Sequence, residues 1–125
     1  MVDVSLPAIL QAVQRIQKAI RWRPGSLERH LAKRKARGHL PADATTRDYE
    51  NVITAVFSHH EAFLYLYWYN DTAYVVIRAE VEGQVWLVMF DMAGWMESAF
   101  VVENPQSYFR KSAFQAIGYL KDIGL

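Results

Sequence analysis

The 125-residue chain is 52% apolar and 22% charged, a globular composition that excludes a disordered polymer. It contains no cysteine, which excludes disulfides, thiolate metal sites and thiol nucleophiles and fits a reducing compartment. Its net charge of +1 conceals an uneven distribution: positions 1–47 carry ten basic and three acidic residues (+7), and positions 48–125 carry four basic and ten acidic (−6).

The length suits one domain, 1–125, able to bury a core without staples. Met1-Val2-Asp3-Val4-Ser5 lacks the basic start and apolar run of a signal peptide. The longest apolar run, Ala62–Tyr69, is far short of the roughly 20 residues a spanning helix needs. The expectation is a cytoplasmic protein with no membrane partner.

A helical part occupies 6–58. Leu6, Ile9, Leu10, Val13, Ile16 and Ile20 recur at helical spacing, with Ser5 as cap and Trp22-Arg23-Pro24-Gly25 as terminator. Ser26 is placed to cap a second helix reaching Arg37, with Gly38 as its stop. Thr45 and Asp48 have capping-box spacing ahead of a third helix, whose buried stripe is Tyr49, Val52, Ile53, Val56 and Phe57. From 62 to 102 the period becomes two: Ala62–Tyr69, Thr72–Val81, Val85–Phe90 and Trp95–Val102 are separated by Asn70-Asp71, Glu82-Gly83 and the turn from Asp91 to Gly94. Linkers this short join antiparallel neighbours, so a four-stranded meander is predicted, covered by the helices at 6–20 and 46–58. Residues 106–125 are predicted to supply a C-terminal helix, clearest over Ser112–Asp122, with Phe114, Ile117 and Leu120 as its apolar face. The fold class is α+β, with helices on one face of an antiparallel sheet.

Chemistry concentrates in the second helix, Arg29-His30-Leu31-Ala32-Lys33-Arg34-Lys35-Ala36-Arg37-Gly38-His39. Leu27 and Leu31 anchor it, so His30, Lys33, Arg34 and Arg37 emerge where helix meets sheet, and His39 follows the glycine. A histidine titrates near neutrality, and neighbouring cations lower its pKa and can hold a phosphate. The competing reading is a solvated basic face with incidental histidines. Tyrosines on the first two strands, with Arg78, form a surface on which bases can stack, although the same residues are ordinary strand formers. His59-His60 reads as a helix C-terminal feature rather than a metal site. No phosphate loop, dinucleotide-binding glycine pattern, nucleophile elbow or HExxH is present.

Taken together, His30-Leu31-Ala32-Lys33-Arg34, Gly38-His39-Leu40, Asp48-Tyr49, Trp86-Leu87-Val88-Met89-Phe90 and Glu97-Ser98-Ala99-Phe100 resemble the barnase–EndoU–colicin–RelE (BECR) group of small bacterial and phage nuclease toxins. The resemblance covers roughly residues 26–102. It implies helices before a four-stranded antiparallel sheet and metal-independent RNA cleavage without a cofactor, in which the ribose 2′-hydroxyl attacks the adjacent phosphorus. It also implies His30 and His39 as base and acid in either order, and Ser98 or Glu97 as a polar active-site residue on the last strand. Lys33 and Arg34, with Arg37 and Arg78, would hold RNA or another polyanion. A cognate antitoxin or other protein is the implied partner; oligomeric state is open. The alternative is a non-enzymatic interaction protein, such as an immunity factor, a phage inhibitor or a homodimeric binding module.

Overall fold

The structure is a computed structural model describing residues 3–123. The first helix, α1 (Leu6–Lys18), starts where Ser5 Oγ accepts from the Ala8 N–H, and it buries Ile9, Ala12, Val13 and Ile16. It stops two residues short of the predicted Ile20, because Ala19 is extended. The chain then runs beside the sheet: Arg21 bridges Trp95, and its carbonyl accepts the Met96 N–H at 2.8 Å.

The second helix, α2 (Ser26–Ala36), is capped by Gly25 rather than by the expected Ser26. At φ +78° the glycine takes the left-handed turn that a side chain resists, and Ser26 becomes a buried first-turn residue. The predicted stop at Gly38 is a Schellman motif. The His39 N–H reaches back to the Arg34 carbonyl at 2.9 Å and the Gly38 N–H to that of Lys35 at 3.1 Å. The third helix, α3 (Thr46–Phe57), has the predicted capping box, with Thr45 Oγ1 and the Asp48 carboxylate each accepting from the other's backbone N–H. Tyr49, Ile53, Val56 and Phe57 form its buried stripe, with Val52 at the margin. Burial pushes the Tyr49 hydroxyl up to about 12, and it donates to the Ala99 carbonyl at 2.6 Å, tying α3 to the sheet.

The strands are β1 (Phe63–Tyr69), β2 (Thr72–Val81), β3 (Gln84–Asp91), β4 (Met96–Val101) and β5 (Phe114–Tyr119), all antiparallel in the order β4-β3-β2-β1-β5. The first two hairpins use tight turns with both central residues at positive φ, Asn70-Asp71 and Glu82-Gly83. The meander is as predicted, but the sheet has five strands rather than four.

The expected C-terminal helix is absent. In its place are a single helical turn, α4 (Pro105–Tyr108), strand β5 and a 3-10 turn at Leu120–Asp122; positions 124 and 125 of that expectation lie outside the described residues. The three-residue spacing of Phe114 and Ile117 suits a helix, yet in a strand it places them on opposite faces, where each finds a core. Phe114 joins the aromatics of one face, and Ile117 packs on the helix-covered side. Pairing with the open edge of β1 then satisfies the backbone, and Gly118 disfavours the helical alternative by about 1 kcal/mol.

One sheet face, with Leu64, Val75, Ile77, Trp86, Val88 and Phe90, packs under the helices. To reach β5 from β4, residues 102–113 cross the other face as a strap. Phe109 stacks on Tyr65 at 4.8 Å and Tyr108 meets Phe100 at 6.3 Å. Among the described residues no helix is long and apolar enough to cross a membrane.

Candidate functional site at the α2–β4 edge

The helix α2 lies along the outer edge of β4. His30 is half-buried there, its Nδ1 3.4 Å from Ser98 Oγ and its ring 5.9 Å from that of Trp22. It opens onto a cavity of about 540 Å³ that also meets Arg23, Arg29, Tyr74, Asp91 and Glu97. Burial, and then the cations Lys33, Arg34 and Arg29, hold its pKa below the ordinary 6.5, favouring the neutral ring. Arg23 pairs with Asp91 at 3.1 Å. Among the described residues, none of the α2 cations Arg29, Lys33, Arg34 and Lys35, nor Arg37 at its C-cap, is ion-paired. The helix thus presents a positive field beside an imidazole whose neutral form is favoured.

Tyr74 approaches the same cavity from β2. Burial and the carboxylates of Glu97 and Asp91 raise its pKa, so the hydroxyl keeps its proton at neutral pH.

Arg34 was expected at the surface of the site, but only 4% of it is exposed. Its guanidinium lies 5.5 Å from the Phe100 ring and its Nη1 is 3.3 Å from His39 Nδ1, while its Nε has no hydrogen-bond partner among the described residues. His39 Nδ1 also faces the Val101 N–H at 3.3 Å. Because both of those groups can only donate, Nδ1 is the acceptor and His39 is neutral with its proton on Nε2. Burial and the charges of Arg34 and Arg37 lower its pKa in agreement, against an opposing effect from Glu103.

The structure therefore brings His30, Ser98 and Glu97 together and joins Arg34 to His39, but it does not bring the two histidines into one cleft. His39 borders a separate cavity with Leu40, Pro41, Val52 and Trp86. Lys33 on α2 and Arg37 at its C-cap are exposed. Arg78 stands apart under the strap: its Nη1 donates to the Tyr65 hydroxyl at 3.1 Å and its guanidinium lies 4.9 Å from the Phe109 ring. That is a clamp on the strap rather than a contact with the α2 edge.

Ser26 and Arg29 line this cavity with His30, a grouping already present in the sequence as the helical spacing i, i+3, i+4. Tyr74 and Asp91 reach the site only because their strands pair them, which nothing local in the sequence announces. No family model matches the chain, and neither a curated protein nor a solved structure matches it. The likeness to the BECR group rests on the residues quoted above.

Proposed function

We propose that the chain is a cytoplasmic, RNase-like toxin domain of the BECR kind, cleaving RNA at the α2–β4 edge without a metal. The observation that carries this reading is the pairing of His30, its neutral form favoured and set against Ser98, with helix cations none of which is ion-paired among the described residues.

In this mechanism His30 Nδ1–H donates to Ser98 Oγ, which leaves Nε2 free to take the proton of the ribose 2′-hydroxyl. The new bond forms between the 2′ oxygen and phosphorus, and the bond from phosphorus to the 5′ oxygen breaks. Arg29 and Lys33 hold the phosphate and the charge that builds on its oxygens. Since His39 is engaged by Arg34 and Val101, the proton for the 5′ oxygen comes from Tyr74, in the same cavity as His30. Glu97, at the rim, accepts from ribose hydroxyls. The products are a 2′,3′-cyclic phosphate and a 5′-hydroxyl.

The test is incubation of an end-labelled RNA with the purified protein in chelator. Cyclic-phosphate products are expected, with none from an RNA carrying 2′-deoxyribose at the cut site, and His30→Ala should lower turnover by about a hundredfold or more. An inert wild type would leave the interaction-protein reading, and full activity in His30→Ala would remove His30 from the mechanism. That reading draws support from Trp68, Tyr69 and Tyr119, which stand exposed on β1 and β5.

A further inference from the structure

Beyond Ser98, β4 leads to a second grouping. Phe100 follows Ser98 by two positions, so both side chains leave the strand on the same face, roughly 7 Å apart. Phe100 borders a cavity of about 340 Å³ that also meets Arg37 from the end of α2 and Tyr108 and Lys111 from the strap. Tyr108 lies edge-on to Phe100 at 6.3 Å, and the Lys111 ammonium stands 4.3 Å from the centre of the Tyr108 ring. Arg37 and Lys111 are both exposed, and neither is ion-paired among the described residues. Two cations from distant parts of the chain thus meet an aromatic floor whose Phe100 is two positions along β4 from Ser98, the neighbour of His30. Glu103, exposed on the rim, is the carboxylate of this cavity. It disfavours a second phosphate and suits the amino group of a base.

We propose that this cavity is a nucleotide subsite for single-stranded RNA: the exposed Lys111 turns from the face of Tyr108 to hold, with Arg37, a phosphate, and a base next to the cut stacks on the ring face it leaves. The inference rests on the cleavage reading above, because β4 joins this cavity to the His30 cleft. Stacking on a side chain requires a base whose face is free, which a duplex does not offer. The subsite therefore selects unpaired RNA.

Binding of a fluorescent 2′-O-methyl hexanucleotide, which cannot be cleaved, tests the subsite apart from catalysis. Tyr108→Ala should weaken binding about tenfold and Tyr108→Phe should restore it, since the ring rather than the hydroxyl makes the contact. Tyr108 also packs on Phe114, so a second variant uses exposed positions alone. Changing Arg37 and Lys111 together to Gln should flatten the slope of log affinity against log salt by about 1.4. With cleavable RNA, Lys111→Gln should reduce the preference for a hexanucleotide over a dinucleotide, through KM. Unchanged affinity and salt slope in all of these variants would overturn the subsite, as would a duplex that binds as tightly as the single strand. A wild type that cleaves nothing yet binds through Tyr108 leaves the subsite standing and removes the cleavage reading. One that cleaves with no effect from these variants does the reverse.

Discussion

His30 sits in surroundings that work against its charged form: burial removes water, and Lys33, Arg34 and Arg29 repel the proton. A base that must be neutral is active above its own pKa and fails as pH falls through it. The rate in kcat/KM should therefore drop with acid through a midpoint below 6.5, and Lys33→Gln should move that midpoint up. A midpoint unmoved by Lys33→Gln would detach the cations from the histidine. His39 follows the same electrostatics to a structural end. Its folded pKa is lowered, so below about 6.5 the unfolded chain takes up a proton that the folded chain resists. The contribution to stability is complete above that pH and is lost as pH falls below it. Denaturant titrations from pH 7 to 5 should show this loss, and His39→Asn, which keeps an acceptor without the titration, should show less of it. The sequence made both histidines legible as residues among cations, but not their separation. His39 is turned back onto Arg34 and Val101 by backbone hydrogen bonds after Gly38, and no spacing rule predicts which ring nitrogen those donors meet.

At the scale of elements, the local signals that proved reliable were those with a short-range physical cause. The Thr45–Asp48 box, the Gly38 stop and the two-residue hairpins each depend on a few adjacent residues, and each stands where the sequence placed it. Gly38 allows a clean test, because a Cβ there meets nothing within 4 Å while φ is +72°. Gly38→Ala should cost about 1 kcal/mol through backbone conformation alone, read as a lower denaturant midpoint with an unchanged slope. Removing the cap with Thr45→Ala should cost a similar amount, about 1 kcal/mol, by the same measurement. The last strand failed to register for the opposite reason. Its apolar residues fit two periods equally, and the choice was made by β1, some fifty positions earlier, whose open edge needed a partner. The strap was invisible for the same cause, since it exists only because β4 and β5 lie at opposite edges of one sheet.

Across the whole molecule, the +7 and −6 halves of the sequence do not become two lobes, because α2 from the first half packs against β4 from the second. The positive field stays on the helix and its edge, which predicts strongly salt-dependent association with RNA. Neutralising Arg29 and Lys33 together should weaken that association and lower the salt slope by about 1.4, whereas Lys121→Gln, on the 3-10 turn, should change neither. Equal losses from both sets would mean diffuse attraction rather than a site. Composition alone made the dipolar chain legible, but the meeting of residue 30 with residue 98 required the fold.

The strap makes the protein separable into two pieces. Its Arg110 and Lys111 are exposed neighbours, so a protease specific for basic residues can cut between them without first opening the core. The smaller piece would still hold its place through the β5–β1 ladder, but as a guest rather than as part of the chain. A tethered neighbour acts at an effective concentration in the millimolar range, and a severed one must be supplied from solution. Since Lys111 leaves with the small piece, dilution would strip the molecule of that cation while α2 and His30 remain where they are. A nicked preparation thus becomes a split protein whose hold on its ligand is set by how much of the severed peptide is added back.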